Sequence, residues 1–552
     1  MRTWKYAFLP TLFLLFVTSW PQIHLWYERG SNWNGGFAYL DPDEFGYAGY
    51  VQALIEGHPR LIDPYTGTQA PENLFSIQFI PAYVLAIPGR LFGLSASVMF
   101  VLAAPIITIL SSLLIFRLVY EVSGNRKIAA ISIVGVLTLG TAVVVPIPLL
   151  QPSKLRGFGY FPYLRTYVPA VVFPLIFIGP LCVWRALTKD LRWAIGAGIT
   201  FSVLVFSYFY LWTALLAWFG AILLLWAGLE DRKRALKVFG VIAPFLLAVI
   251  PFAWLIRQRA SQSNGDLVLR LTHMPDFTQT SEVLGLLILV VLFVKKRRCP
   301  AITFVASLAL LPMLVFNQQI VTGRSLQPFH YGEVVANYWI VVSIFIMFGL
   351  WRGITRRMPL LLALGSAFVG LVLGLMATRI FSEGSIRMDQ GLAIKQKLKE
   401  LGPGRVYAPN VIVTNSLVSI ENPMLWAQQS YTFSNISHEE QRKRFFEQLF
   451  LQSITKEEIR VLLEKDFIVR LEAFGDRANE LITAGDNPIT QGDIERVSAE
   501  INQFYDQFQP PEQLRYAVIS HEDRMDNLRR WYSLEELGRV EGFTIYQMSL
   551  RQ

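Results

Sequence analysis

Apolar positions fill the first two thirds of the chain in long blocks separated by short basic turns. Runs such as Ala194 to Leu229 and Ala301 to Phe316 carry almost no ionisable side chain. Each is long enough to cross a hydrocarbon layer of roughly 30 Å as one or two helices. The pattern predicts spans at approximately 6–26, 96–119, 128–148, 168–187, 194–209, 211–228, 238–256, 282–294, 300–316, 334–351 and 359–377, about eleven helices. The blocks stop near Arg379. Beyond it, shorter periodicities predict helices over Met388 to Leu401, Glu439 to Leu451, Lys456 to Lys465 and Ile494 to Phe504. Strands are predicted over Arg405 to Ala408, Val411 to Thr414, Tyr516 to Ser520 and Phe543 to Met548. The expected fold class is an α-helical polytopic membrane protein, residues 1–379, with a soluble C-terminal α/β domain, residues 380–552.

Composition agrees with a chain that lives in lipid: 53% of the 552 residues are hydrophobic, 16% are charged and the mean hydropathy is +0.39. The formal charge of +9 does not point to nucleic acid, because the cations lie in clusters between apolar blocks. Those clusters are Arg2/Lys5, Arg117/Arg126/Lys127, Arg185/Lys189/Arg192, Arg232/Lys233/Arg234/Lys237, Lys295/Lys296/Arg297/Arg298 and Arg352/Arg356/Arg357. All six fall on the cytoplasmic side if the stretch Leu74 to Leu94, broken by Pro81, Pro88 and Arg90, lies along the outer surface without crossing. The N-terminus is then cytoplasmic, its apolar run is a retained signal anchor in the plasma membrane, and the C-terminal domain is extracytoplasmic. The two cysteines, Cys182 and Cys299, sit at edges of apolar segments and offer neither a disulfide framework nor a thiolate metal site.

This parity enlarges the first outer loop to residues 27–95. Between Tyr27 and Asn73 it holds Glu28, Asp41, Asp43, Glu44, Glu56, Asp63 and Glu72 against Arg29 and Arg60. Asp43, following Pro42, is placed to open a helix with Tyr47, Tyr50, Val51 and Leu54 on one side, ended by Gly57, His58 and Pro59. An acid at that end faces the positive helix terminus, which should lower its pKa and keep it ionised as a base or metal ligand. Plain capping on a solvated acidic surface is the other reading.

Asp43-Glu44-x-x-Tyr47-Ala48, with Leu54 and Gly57 downstream, resembles the first-loop motif of GT-C glycosyltransferases, multispan enzymes that use sugars carried on polyprenyl phosphates. Pro81 and Leu91-Phe92-Gly93 match the surface helix that follows the motif in that superfamily, and Gly124-Asn125-Arg126-Lys127 matches its basic turn. The relatives include bacterial mannosyl- and arabinosyl-type transferases. The resemblance implies an inverting transfer, of a hexose or a pentose, in which Asp43 is the catalytic base, Glu44 a helper, and Asp41, Tyr47 and Glu72 contact substrate. It implies a polyprenyl-phosphate-linked sugar donor, a glycan, lipid or protein acceptor, and no nucleic acid. A divalent metal is left open, although Gln151 to Tyr167 lacks the acid that relatives often carry in the second outer loop.

That second loop alternates cations with aromatics. Arg156 and Arg165 offer forked donors to a lipid phosphate, and the alternative is an interfacial aromatic belt. The loop Asn317 to Glu333 places amides, Arg324, Gln327 and His330 between two spans, where buried polarity needs partners that a pyrophosphate or sugar would supply. Capping with an Arg324–Glu333 pair is the plainer account there. Two other classes compete with a transferase: a multispan transporter or flippase, and a non-catalytic envelope assembly protein.

Overall fold

The computed structural model describes residues 4–69, 77–143, 161–260, 270–271, 274–275, 277, 279–295, 299–325, 328–351, 357–434, 436–478, 488–511 and 513–551. Each predicted span falls on a helix except 238–256, which is divided between helices Arg232–Ile242 and Val249–Ala260 by a 3-10 turn over Ala243–Ala248. In chain order these are α1 (Lys5–Arg29), then α2 (Asp43–Ile55) and α3 (Ile80–Phe92) in the first loop, α4 (Ala96–Ser123), α5 (Arg126–Val143), α6 (Leu175–Thr188) and α7 (Trp193–Val205). They continue with α8 (Phe209–Leu229), α9 (Arg232–Ile242), α10 (Val249–Ala260), α11 (Thr280–Lys295), α12 (Pro300–Phe316), α13 (Asn337–Leu350) and α14 (Arg357–Leu401). Eight described segments are long and apolar enough to cross a membrane; α3, α7, α11 and α12 are shorter. The outward surface of the bundle is apolar, with Leu224, Leu247, Trp254, Leu361 and Phe368 all exposed, as lipid in place of water allows. The chain is an integral, multispan membrane protein.

Helix ends follow local chemistry. The Ser95 hydroxyl accepts from the Val98 amide at the start of α4, and Gly124 closes it in the left-handed region at φ 72°. α3 has 13 residues, a rise of about 20 Å against roughly 30 Å of hydrocarbon. It lies against α2, where Gly89 meets Ile55. At one end of the bundle Glu121 gathers Arg117 (2.5 Å), Arg185 and Lys189 (3.1 Å), and Arg234 donates to the Ala186 and Lys189 carbonyls. Three basic clusters therefore meet at one end.

The C-terminal region departs from the pattern in three places. The predicted helix over 388–401 is the last third of α14, whose 45 residues run without interruption from the membrane part. Residues 411–414, expected as a strand, belong to helix Val411–Leu417, because Asn410 accepts from the Ile412 and Val413 amides and caps it. The strand Tyr532–Val540 was not expected, its polar run hiding the alternation. It pairs antiparallel with Phe543–Leu550 through a two-residue turn, Glu541-Gly542, in which both residues have positive φ. The sheet order is Arg405–Tyr407, Leu514–Ser520, Phe543–Leu550, Tyr532–Val540, the first pair parallel and the others antiparallel. Helices His438–Leu451, Lys456–Lys465 and Gln491–Asp506 match expectation within three residues at each end. One buried apolar cluster extends from Leu14 in α1 through Phe45 and Phe433 to Ile545 in the sheet, so the helical bundle and the C-terminal region share a core.

Candidate active site

The first loop is held by two buried acids that composition did not distinguish. Asp389 of α14 accepts from the Asn34 and Gly36 amides (2.9 and 2.8 Å) and from Arg29 Nε (2.7 Å), and Arg29 also reaches Glu541 at 2.8 Å. Gly36 is required there, since a Cβ would lie 2.6 Å from the Asp389 carboxylate. Asp63 accepts from the Tyr65 amide and the Ser434 hydroxyl, tying the end of the loop to the C-terminal region. Between these anchors α2 begins at Asp43, where Asp41 Oδ1 accepts the Asp43 amide at 2.9 Å. Tyr47, Tyr50, Val51 and Leu54 are buried as the periodicity required. Tyr47 stacks on Tyr167 at 4.7 Å and meets Phe433, while Phe433 lies over Gly46.

The two carboxylates at the start of α2 have different surroundings. Glu44 is fully enclosed: Oε2 accepts from the Leu40 and Asp41 amides (2.6 and 3.3 Å), and Oε1 accepts from the Thr166 amide (2.5 Å). Burial pushes its pKa up to about 7 in spite of those donors. The Asp43 side chain remains 33% open and faces Arg165 Nη1 at 3.3 Å. Its pKa is raised, first by desolvation and then by the charge of Asp41, with Arg165 pulling the other way. The expectation that the helix terminus would depress it is corrected: at this depth loss of water outweighs a partial charge.

Arg165 joins the site's parts. Its Nε donates to the Val168 carbonyl (2.9 Å), Nη1 to Asp43 and Nη2 to the Tyr208 hydroxyl (3.1 Å), and Asp41 is 3.8 Å away. Tyr208 contacts His330 Nδ1 at 3.2 Å, and the Tyr210 ring packs against the imidazole at 4.4 Å. Because a guanidinium only donates, Tyr208 accepts from Arg165, and the imidazole tautomer sets which partner donates between Tyr208 and His330. Burial, helped by the charge of Arg165, lowers the His330 pKa well below its ordinary value and keeps the ring neutral. The chain after His330 winds as a π-helix over Gly332–Ala336 and buries Glu333 within electrostatic reach of Arg165.

Of the residues singled out in the sequence, Asp41, Asp43, Glu44, Tyr47, Arg165 and His330 come together. Glu72, Arg156 and Gln327 lie outside the described residues, and Arg324 is placed only by its backbone, paired with Leu271. Asn317 donates to Glu282 at 2.8 Å, an acid on α11 that accounts for part of the polarity of its loop. Sequence reading did not single out Tyr208 and Tyr210. Their signal was the polar pair Ser207-Tyr208 interrupting the apolar run between α7 and α8. Among the described residues no three His, Cys, Asp or Glu side chains are grouped to hold a metal. Arg165 itself supplies the cation opposite Asp41 and Asp43, so the arrangement does not fit a metal between those acids.

Neither a family model nor a curated protein sequence matches the chain. Solved structures do. ArnT from Cupriavidus metallidurans bound to undecaprenyl phosphate aligns over 98% of this chain and 97% of its own, at 11% identity and TM-score 0.46. The Archaeoglobus fulgidus oligosaccharyltransferase aligns over 94% of this chain and 69% of its own, at 13% identity and TM-score 0.43.

Proposed function

We propose that this chain is a glycosyltransferase that moves a sugar from a polyprenyl-phosphate donor to an acceptor at the outer face of the membrane. The observation that carries the reading is the partly open Asp43 carboxylate at the start of α2, with Arg165 linking it to Tyr208 and neutral His330. In the reaction the acceptor hydroxyl oxygen bonds to the anomeric carbon as the bond from that carbon to the phosphate oxygen breaks. The electron pair leaves with the polyprenyl phosphate, and the hydroxyl proton passes to Asp43. Attack opposite the leaving group inverts the anomeric centre. Arg165, held by Tyr208 beside neutral His330, forms the cationic side, which stabilises charge developing on the departing phosphate. Glu44, with both oxygens on backbone amides, acts as a positioning residue that orients Asp43. Tyr47, stacked under the site, contributes its floor. No step uses a metal.

The test is Asp43→Asn, which keeps shape and removes the base. Transfer should fall by roughly 10²–10⁴-fold, with a polyprenyl-phosphate sugar accumulating in the lipid extract and the melting temperature of the purified protein unchanged. Unchanged glycan product in cells that depend on the variant would remove the reading and favour an assembly role.

A further inference from the structure

The proposed reaction leaves unused the exposed cations of the α8–α9 hairpin. An apolar groove of about 390 Å³ runs between these helices, lined by Leu216, Gly220, Leu224 and Ala227 of α8 and by Leu236 and Phe239 of α9. Leu224, Leu236 and Phe239 are exposed, as on a lipid-facing surface. The α8 lining recurs at helical spacing, and from Leu216 to Ala227 the axis rises about 16 Å, close to half a hydrocarbon layer. The groove thus has the depth of one leaflet, with the hairpin turn at its end.

That turn is basic without being neutralised. From Glu230 to Lys237 four cations stand against two acids. Asp231 is engaged in capping α9, accepting the Arg234 amide at 3.0 Å, and Glu230 accepts the Thr303 hydroxyl at 2.7 Å. Arg234 is turned inward onto the Ala186 and Lys189 carbonyls. Arg232, Lys233 and Lys237 are exposed and make no ion pair among the described residues. Arg232 precedes Leu236 by one turn and Phe239 by two, so it stands at the mouth of the groove.

We propose that this groove holds an anionic phospholipid of the leaflet at the basic end, one acyl chain between α8 and α9 and its phosphate on Arg232, with Lys233 and Lys237 beside it. The forked guanidinium suits a phosphate, and clustered cations at a helix end attract anionic headgroups. The site is independent of the transfer reaction. Its one-leaflet depth matches an ordinary acyl chain, and the hairpin turn lies among the basic clusters, at the opposite end of the bundle from Asp43.

The test is native mass spectrometry of the full-length protein, purified in mild detergent and supplied with phosphatidylglycerol or phosphatidylcholine of identical chains. Wild type should retain phosphatidylglycerol preferentially, and the triple variant R232A/K233A/K237A should lower that retention by about tenfold or more. Gly220→Phe should lower retention of both lipids, because a Cβ at Gly220 meets nothing within 4 Å and the ring can enter the groove. Arg192→Ala, in a different basic turn, should change nothing. An unaltered melting temperature for each variant separates lost binding from lost folding. Equal retention by the triple variant, equal retention of the two lipids by wild type, or displacement of phosphatidylglycerol by equimolar undecaprenyl phosphate would each overturn the assignment.

Discussion

Glu44 turns both oxygens onto the backbone amides of Leu40, Asp41 and Thr166, whereas its neighbour Asp43 keeps a third of its side chain open beside Arg165. One residue step around a helix start separates a carboxylate that can build the site from one that can meet a substrate. The environment of Asp43 makes a prediction about pH. Its folded pKa is raised and the base must be ionised to act, so kcat/KM should rise with pH through an inflection well above the ordinary aspartate value of about 4. Arg165 opposes that rise, so Arg165→Gln should move the inflection higher still. A profile flat down to pH 5, or an inflection moved downward in the Arg165 variant, would contradict the assignment. The Asp43-Glu44 pair was legible in the sequence because a proline and a following helix frame it. Which of the two stays open was not, since that depends on Thr166, 122 positions away.

Helix α2 is clamped by the one-turn helix Ser430–Phe433. Gly46 admits the Phe433 ring so closely that a Cβ would lie 2.5 Å from it. This contact separates propensity from packing. In a helix interior Gly→Ala gains about 1 kcal/mol, while overpacking costs roughly 1–3 kcal/mol. Gly46→Ala should therefore lower the melting temperature in wild type and raise it in a Phe433→Ala background. The same sign in both backgrounds would show that the clamp does not bear on α2. At this scale the long apolar helices were readable almost to their ends, because lipid demands length and apolarity that few other segments have. Short elements were not. The stretch 411–414 has strand-like composition and becomes helical through the Asn410 cap, and Tyr532–Val540 is a strand only because Phe543–Leu550 lies beside it.

Across the whole molecule, the site assembles from four stretches: the first loop, residues 161–174, the α7–α8 turn and the turn around His330. Asp389 on α14 and Phe433 hold the first loop from the C-terminal side. The continuity of α14 carries that region onto the same end of the bundle as Asp43. We propose, on the charge parity of the basic clusters, that this end is extracytoplasmic. In a variant with Cys182 and Cys299 replaced, a cysteine at exposed His521 should react with an impermeant maleimide in intact cells; reaction only after permeabilisation would reverse the orientation.

By itself the sequence determined that the chain spans a membrane many times and that a polar region follows, since these depend on local apolarity summed over windows of about twenty residues. It also marked the Asp43 helix, through signals within a few positions. Tertiary structure alone decided that Arg165, Tyr208 and His330 meet Asp43, that Glu44 is spent on backbone amides, and that Asp389 and Phe433 hold the loop in place. Apart from those of Glu44 to Leu40 and Asp41, these contacts join residues tens to hundreds of positions apart, and their energies arise from burial and charge pairing that exist only once the helices have packed.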